Sequence, residues 1–295
     1  MMNGRVDLHV HSLNSSDGDF SPVALLQMAK ENGLRAISIA DHDTVGAYPD
    51  ALEWSDKLGV ELIPSVELTT LFDGREFHLL LPFVRWDSRS LERILETVTR
   101  ARMEEAKERV AKLGELGFDI DWDEVILKTR GGPPLGVSIA QILIDKGRKE
   151  KIPCLKKYYE GTNRLFAPYF FYKDYFLEEG PAYVRKRTVS LVEVLDLLAG
   201  DGTAPVLAHP GAYFEKATGE DLAALKERGL VGIEVYSSYH DSDQIRLYKA
   251  AAGELNLVAT AGSDFHGRIK PHVIFGQLKE GTYRMVEELK ARRRR

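Results

Sequence analysis

Cysteine is almost missing from this chain of 295 residues: Cys154 is the single one, so no intrachain disulfide and no thiolate metal cluster can form. Long apolar runs are missing too. Stretches such as AISIA (36–40) and LLLPFV (79–84) are strand-length, far short of the ~20 residues that cross a bilayer. The opening MMNGRVDLHV has neither the apolar stretch of a signal peptide nor the character of a transit peptide. A cytoplasmic protein with no membrane partner is the expectation. Positive charge is not in excess either, since 40 Lys+Arg against 45 Asp+Glu leave a net charge of −5, which excludes a strongly basic protein that coats nucleic acid. What remains is ordinary globular composition, 44% hydrophobic and 29% charged, enough for one large α/β domain or one domain carrying an insertion. The terminal run Ala291 to Arg295 reads as a frayed helix end and is assigned no function.

Seven short apolar runs predict strands: Val6 to His11, Ala36 to Asp41, Glu61 to Glu67, Glu76 to Pro82, Pro205 to His209, Gly232 to Tyr236 and Leu257 to Ser263. Helical spacing falls between them. Pro22 to Asn32 follows Ser21, a fitting N-cap with proline in the first turn, and stops at Gly33. Further helices are expected near Ala47 to Leu58, Leu191 to Ala199, Leu222 to Arg228 and Ser242 to Glu254. This alternation predicts buried parallel strands. It breaks between the fourth and fifth strands, where a segment rich in helix formers and then aromatics reads as an inserted helical domain or lid. Its aromatic cluster, Tyr158 to Phe176, is expected to form the core of that insertion rather than a base-stacking platform.

Of the eight histidines, His9, His11, His42, His78, His209, His240 and His266 stand at or beside expected strand ends. His9 and His11 are two apart on a strand, which places both imidazoles on one face, where they can grip one ion. Asp17 lies in the next loop, Asp41 and Asp43 flank His42, Glu67 closes the third expected strand, and Asp264 stands two residues before His266. Any one of these could be a satisfied buried polar residue. Together they read as a metal centre, and imidazole with carboxylate but no thiolate suits zinc, manganese or iron.

The segments DLHVHS (7–12), ADHDT (40–44), SVELTT (65–70), LAHPG (207–211) and GSDFHG (262–267) resemble, in type, spacing and order, the motifs of the PHP superfamily, named for polymerase and histidinol phosphatase. The likeness is greatest to its small nucleoside 3′,5′-bisphosphate phosphatases and 5′-to-3′ exoribonucleases. It implies a distorted (β/α)7 TIM-like barrel formed by residues 1–84 and 186–295, interrupted by a mostly helical insertion at 85–185, with two or three divalent ions (Mn2+, Zn2+ or Fe2+) at the rim. By resemblance, one ion takes His9, His11, Glu67 and Asp264; a second shares Glu67 and adds His78 and His209; a third takes Asp17, His42 and His266.

A phosphate ester resists hydroxide because its oxygens are anionic, and clustered divalent ions answer both needs by lowering the pKa of water and neutralising the phosphoryl group. The expected activity is therefore hydrolysis of a phosphate monoester on a small metabolite or nucleotide, or of a short phosphorylated RNA, by a metal-bridging hydroxide. His209 and Asp264 are expected in the catalytic centre, with His240 as acid for the leaving group or as an orienting residue. Arg268 and Lys270, in the loop after GSDFHG, are candidates for binding substrate phosphate. His272 is expected on the surface. Family members carry an arginine in the segment aligned with residues 136–147, where Val137 stands here; Arg130, Arg148, Arg164 or Arg185 would have to compensate. Two other readings remain at this point: an amidohydrolase-like metal hydrolase, and a noncatalytic metal- or nucleotide-binding module.

Overall fold

Hydrophobic runs punctuated by glycine, proline and caps become alternating strands and helices in the computed structural model, which describes residues 4–212, 216–278 and 280–293. The last two arginines of the terminal run lie outside the described residues. The amino-terminal part contains β1 (Arg5–Val10), α1 (Pro22–Glu31), β2 (Leu34–Ile39), α2 (Tyr48–Leu58), β3 (Glu61–Leu62), β4 (Glu67–Phe72) and β5 (Arg75–Leu80). Five helices follow: α3 (Arg89–Glu115), α4 (Trp122–Lys128), α5 (Gly136–Glu150), α6 (Lys156–Tyr159) and α7 (Ala167–Tyr175). The carboxyl-terminal part alternates α8 (Leu191–Leu197), β6 (Val206–Leu207), α9 (Gly219–Glu227), β7 (Gly232–Ser237), α10 (Ser242–Glu254), β8 (Val258–Gly262) and α11 (Tyr283–Ala291). Ser21 caps α1, its hydroxyl accepting the Ala24 N–H at 3.1 Å, so the amino-terminal stop signal works as its chemistry predicts.

The fold is mixed α/β, with two sheets. One is parallel in the order β1-β2-β3, and the other runs β4-β5-β6-β7-β8. Two expectations are corrected. The single strand expected from Glu61 to Glu67 divides, because Pro64 has no N–H for a ladder; pairing ends at Leu62, and Glu67 opens β4 instead of closing β3. The strands are also not uniformly parallel. β4 and β5 form an antiparallel hairpin, and β5 pairs antiparallel with β6. Asp73 and Gly74 make its two-residue turn with φ of 54° and 75°, as a type I′ turn requires, and the Asp-Gly pair is a strong sequence signal for it.

Hydrogen-bonded ladders do not close the two sheets into a barrel among the described residues. They meet instead through single bridges, His42 with Glu67 and Val10 with Phe265. These two seams position the site, because residues flanking them lose ladder partners and turn their side chains to a shared rim.

Helix α3 joins two cores. Leu91, Ile94 and Val98 pack with the sheet residues Leu68, Leu79 and Leu207 and with Leu195 of α8, whereas Ala106, Val110 and Leu113 belong to a separate cluster with Ile139, Leu143, Tyr158, Phe171 and Phe176. Most aromatics of residues 158–176 thus pack into this second cluster, buried or half-buried. Phe166 is an exception, with 40% of its surface exposed.

Candidate metal centre

His9 on β1 and His11, one residue past its end, turn to the same side as the strand period requires, and their Nε2 atoms stand 3.0 Å apart. Glu67, at the first position of β4, is wholly buried and faces them: its Oε2 lies 3.2 Å from His9 Nε2, 3.1 Å from His11 Nε2 and 3.1 Å from His42 Nδ1. Its other oxygen is 2.8 Å from His78 Nδ1 and 3.0 Å from His209 Nε2. One carboxylate therefore meets five imidazoles. Asp264 Oδ1 adds contacts of 3.4 Å to His9 and 3.0 Å to His11. On the other flank, Asp17 Oδ2 is 3.1 Å from His266 Nε2 and 3.7 Å from His42 Nε2.

The donor atoms gather into three overlapping groups: His9, His11, Glu67 and Asp264; His11, Asp17, His42 and His266; and His42, Glu67 and His78. All nine sequence-predicted ligands thus lie in one constellation, since His209 joins through Glu67. The grouping differs from the expected division in two respects: His11 is shared by two groups, and His42 stands beside Glu67 and His78, where His209 was expected.

Burying so many like-charged or mutually facing polar atoms is costly unless something satisfies them. Asp17 Oδ1, Glu67 Oε2, Asp264 Oδ1, His42 Nδ1 and His266 Nε2 are buried without a hydrogen bond. Orphaned oxygens and imidazole nitrogens converging within one small volume are the chemistry a divalent cation completes, so the residues fit the metal that the fold implies. Electrostatics agree. Burial alone would raise the Glu67 carboxyl, but His42, His9 and His78 hold it well below the usual range. Burial opposes charge on His11, yet Asp264 and Glu67 raise it to about 9. The more crowded His42 and His266 are lowered, by burial first.

Supporting contacts were not evident in the sequence reading. Glu234 on β7, also fully buried, is 3.1 Å from His9 Nδ1 and accepts the His209 backbone N–H at 2.9 Å, which fixes the face that His9 presents to the centre. Asp41 accepts from Ser12 N, Ser12 Oγ and Ser15 Oγ, and so ties down the loop leading to Asp17. Asp43, His209 and Asp264 hold positive φ of 54°, 25° and 56°, a backbone state that non-glycine residues adopt at a cost and that clusters at functional sites. The alternation of apolar and polar residues in GIEVYS carried a faint signal for Glu234; nothing local pointed to the others.

The remaining candidates fall in different places. Lys270 Nζ reaches Asp264 Oδ2 at 2.5 Å, and Tyr239 Oη meets the same oxygen at 2.5 Å. Arg268 instead pairs with Asp19, at 2.9 Å, with its side chain largely in solvent. His240 does not enter the donor groups: its Nδ1 is 2.9 Å from Val235 O, and its Nε2 accepts the Gly211 N–H at 3.0 Å. Both ring nitrogens are thereby engaged by backbone, of Val235 on β7 and of Gly211 in the loop after His209. Arg130 is likewise engaged, donating to Leu13 O, Ser15 O and Gly18 O at 3.0, 2.7 and 3.2 Å.

Comparisons with known proteins agree with this geometry. The PHP domain family matches residues 7–172, more than half of the chain, and the chain belongs to that family. A 3′,5′-nucleoside bisphosphate phosphatase from Chromobacterium violaceum is 25% identical over 88% of this chain and 87% of its own. A 5′-3′ exoribonuclease from Haemophilus influenzae is 26% identical over 90% and 91%, and a phosphoribosyl 1,2-cyclic phosphate 1,2-diphosphodiesterase from Eggerthella lenta is 28% identical over 91% and 97%. Among solved structures, a candidate metal-dependent phosphoesterase from Bifidobacterium adolescentis superposes with a TM-score of 0.81 at 26% identity, covering 97% of this chain and 96% of that one. The class is therefore that of a phosphoesterase, a hydrolase of the PHP family.

Proposed function

We propose that this protein hydrolyses a phosphate monoester on a nucleotide or a short phosphorylated RNA, using two or three divalent ions held by His9, His11, Asp17, His42, Glu67, His78, His209, Asp264 and His266. The observation that carries the reading is the convergence of three donor groups on orphaned buried atoms of Glu67, Asp264, Asp17, His42 and His266. Bound divalent ions supply Lewis acidity there, lowering the pKa of water and neutralising phosphoryl oxygens. The chain's own residues do the rest. Glu67 and Asp264 hold negative charge in a buried place and thereby favour cation over empty space. Glu234 orients His9, and His240 holds the Gly211 backbone behind His209. Lys270, with its ammonium at Asp264, stands where it can meet a substrate phosphate. In this reading the two sheets form the distorted barrel, and residues 85–185 form the insertion beside its rim.

The nucleotide and RNA substrates of the Chromobacterium and Haemophilus relatives support that substrate class. The test is hydrolysis of adenosine 3′,5′-bisphosphate, AMP, a 5′-phosphorylated short RNA, a cyclic ribose phosphate and p-nitrophenyl phosphate, each with Mn2+, Zn2+, Fe2+ or EDTA, followed as phosphate release and, for the RNA and the cyclic diester, also by chromatography of the nucleotide or ring-opened product. Metal-dependent release from a nucleotide or RNA is expected; hydrolysis confined to the cyclic diester would replace the monoester reading.

A further inference from the structure

Tyr158, Phe171 and Phe176 are buried and most other aromatics of residues 158–176 are half-buried against them, yet Leu165 and Phe166 leave 46% and 40% of their surfaces exposed. The Phe166 ring does not face empty solvent on every side: it lies 4.4 Å from the imidazole of His272, tilted by 40°, and meets Phe170 edge-on at 6.4 Å. His272 belongs to the loop that leaves the metal centre. It follows Lys270 by two residues, and the Lys270 ammonium contacts Asp264. An exposed π surface is thus built on the same loop as Lys270, the backbone positions of Lys270 and His272 lying at most ~7 Å apart.

We propose that Phe166 and His272 form a ledge on which the base of a nucleotide substrate stacks while its phosphate lies at the metal centre. The inference rests on the nucleotide phosphoesterase reading above. Stacking suits this place because every base offers a π face, and aromatic rings accept it without base-specific hydrogen bonds. An insertion that contributes the ring would then select substrates that carry a base over sugar phosphates that lack one. The alternative for the same pair is a plain clasp between insertion and rim, which would serve all substrates alike.

Steady-state kinetics with AMP and ribose 5-phosphate separate these, because the two share the sugar and the ester and differ by the base. Wild-type protein is expected to prefer AMP. Phe166→Ala should lower kcat/KM for AMP by about 5- to 100-fold, mainly through KM, the usual size of one lost stacking contact, and leave ribose 5-phosphate within about twofold. Phe166→Tyr should retain the wild-type preference, and Phe166→Leu, which keeps apolar contact with His272 but has no ring, should behave like alanine. Equal losses for both substrates, or a wild-type enzyme indifferent to the base, would overturn the ledge. Failure of wild-type protein to hydrolyse any nucleotide or RNA ester with any metal would instead overturn the underlying reading, and an enzyme that acts only on adenosine 3′,5′-bisphosphate is compared in the same way on that ester and on ribose bisphosphate.

Discussion

Glu67 is the residue on which the centre turns, because its two oxygens face five imidazoles within 3.2 Å. Its replacement by alanine leaves those imidazoles without their shared counter-charge. We expect Glu67→Ala, like Asp264→Ala and His209→Ala, to abolish phosphate release and reduce bound metal, measured by elemental analysis, while circular dichroism stays that of the folded protein. Glu234→Gln acts indirectly, through His9 orientation, and should weaken metal affinity by about 10- to 100-fold. His11 provides a pH signature. Its folded pKa of about 9 lies above the ordinary 6.5, so in protein stripped of metal its charge contributes stability that is fully present below pH 6.5 and is lost as pH rises through about 9. The thermal midpoint in EDTA should therefore fall across that window as far as His11 governs it. Binding of metal at pH 7 should release protons, read as a dependence of calorimetric heat on the buffer's ionisation enthalpy.

At the scale of elements, residues of the helical segment after β5 reach the site, since Arg130 holds three carbonyls of the loop that presents Asp17, and Ser138 Oγ on α5 is 3.0 Å from Ser16 Oγ. Arg130→Ala should loosen Asp17 and selectively weaken the group it shares with His11, His42 and His266, lowering the affinity of one metal equivalent by roughly tenfold while the others bind as before. Equilibrium dialysis against graded Mn2+ would show one displaced binding step. Arg102 makes a comparable link from α3 to Asp43 and Thr69, next to His42. The hairpin has its own demand: Gly74 sits at φ 75°, and Gly74→Val should cost about 1–2 kcal/mol, seen as an earlier urea midpoint.

For the whole molecule, folding creates a site with buried donor atoms that lack partners until metal enters, so stability and ligation are linked. Free metal at a hundredfold excess over its dissociation constant stabilises by about 2.7 kcal/mol per site, which for a chain of this size corresponds to roughly 4 °C in the thermal midpoint. EDTA should lower the midpoint by about that much, and Mn2+ should restore it. The net charge of −5 leaves no broad field to attract an anionic substrate, which is why the proposed function gives Lys270 the role of a local cation for substrate phosphate. Among the described residues no helix is long and apolar enough to cross a membrane.

Ligand identity was legible in the sequence because metal chemistry restricts residue type, and because His-x-His and Asp-x-His spacing expresses the strand period directly. Helix caps were legible for the same reason: Ser21 acts on an N–H three residues away. Tertiary structure alone decided what depends on pairing between distant segments. Pro64 and the Asp73–Gly74 turn were both in view, but the antiparallel hairpin that moves Glu67 to the start of β4 follows from which strands find each other. The neighbours of each imidazole also belong to this category, as do the engagement of His240 by Val235 and Gly211 and the position of Phe166 against His272. Local residue chemistry determined which atoms could bind metal, whereas packing across the chain determined which of them meet, because hydrogen bonds and ion pairs form over distances in space that sequence separation does not encode.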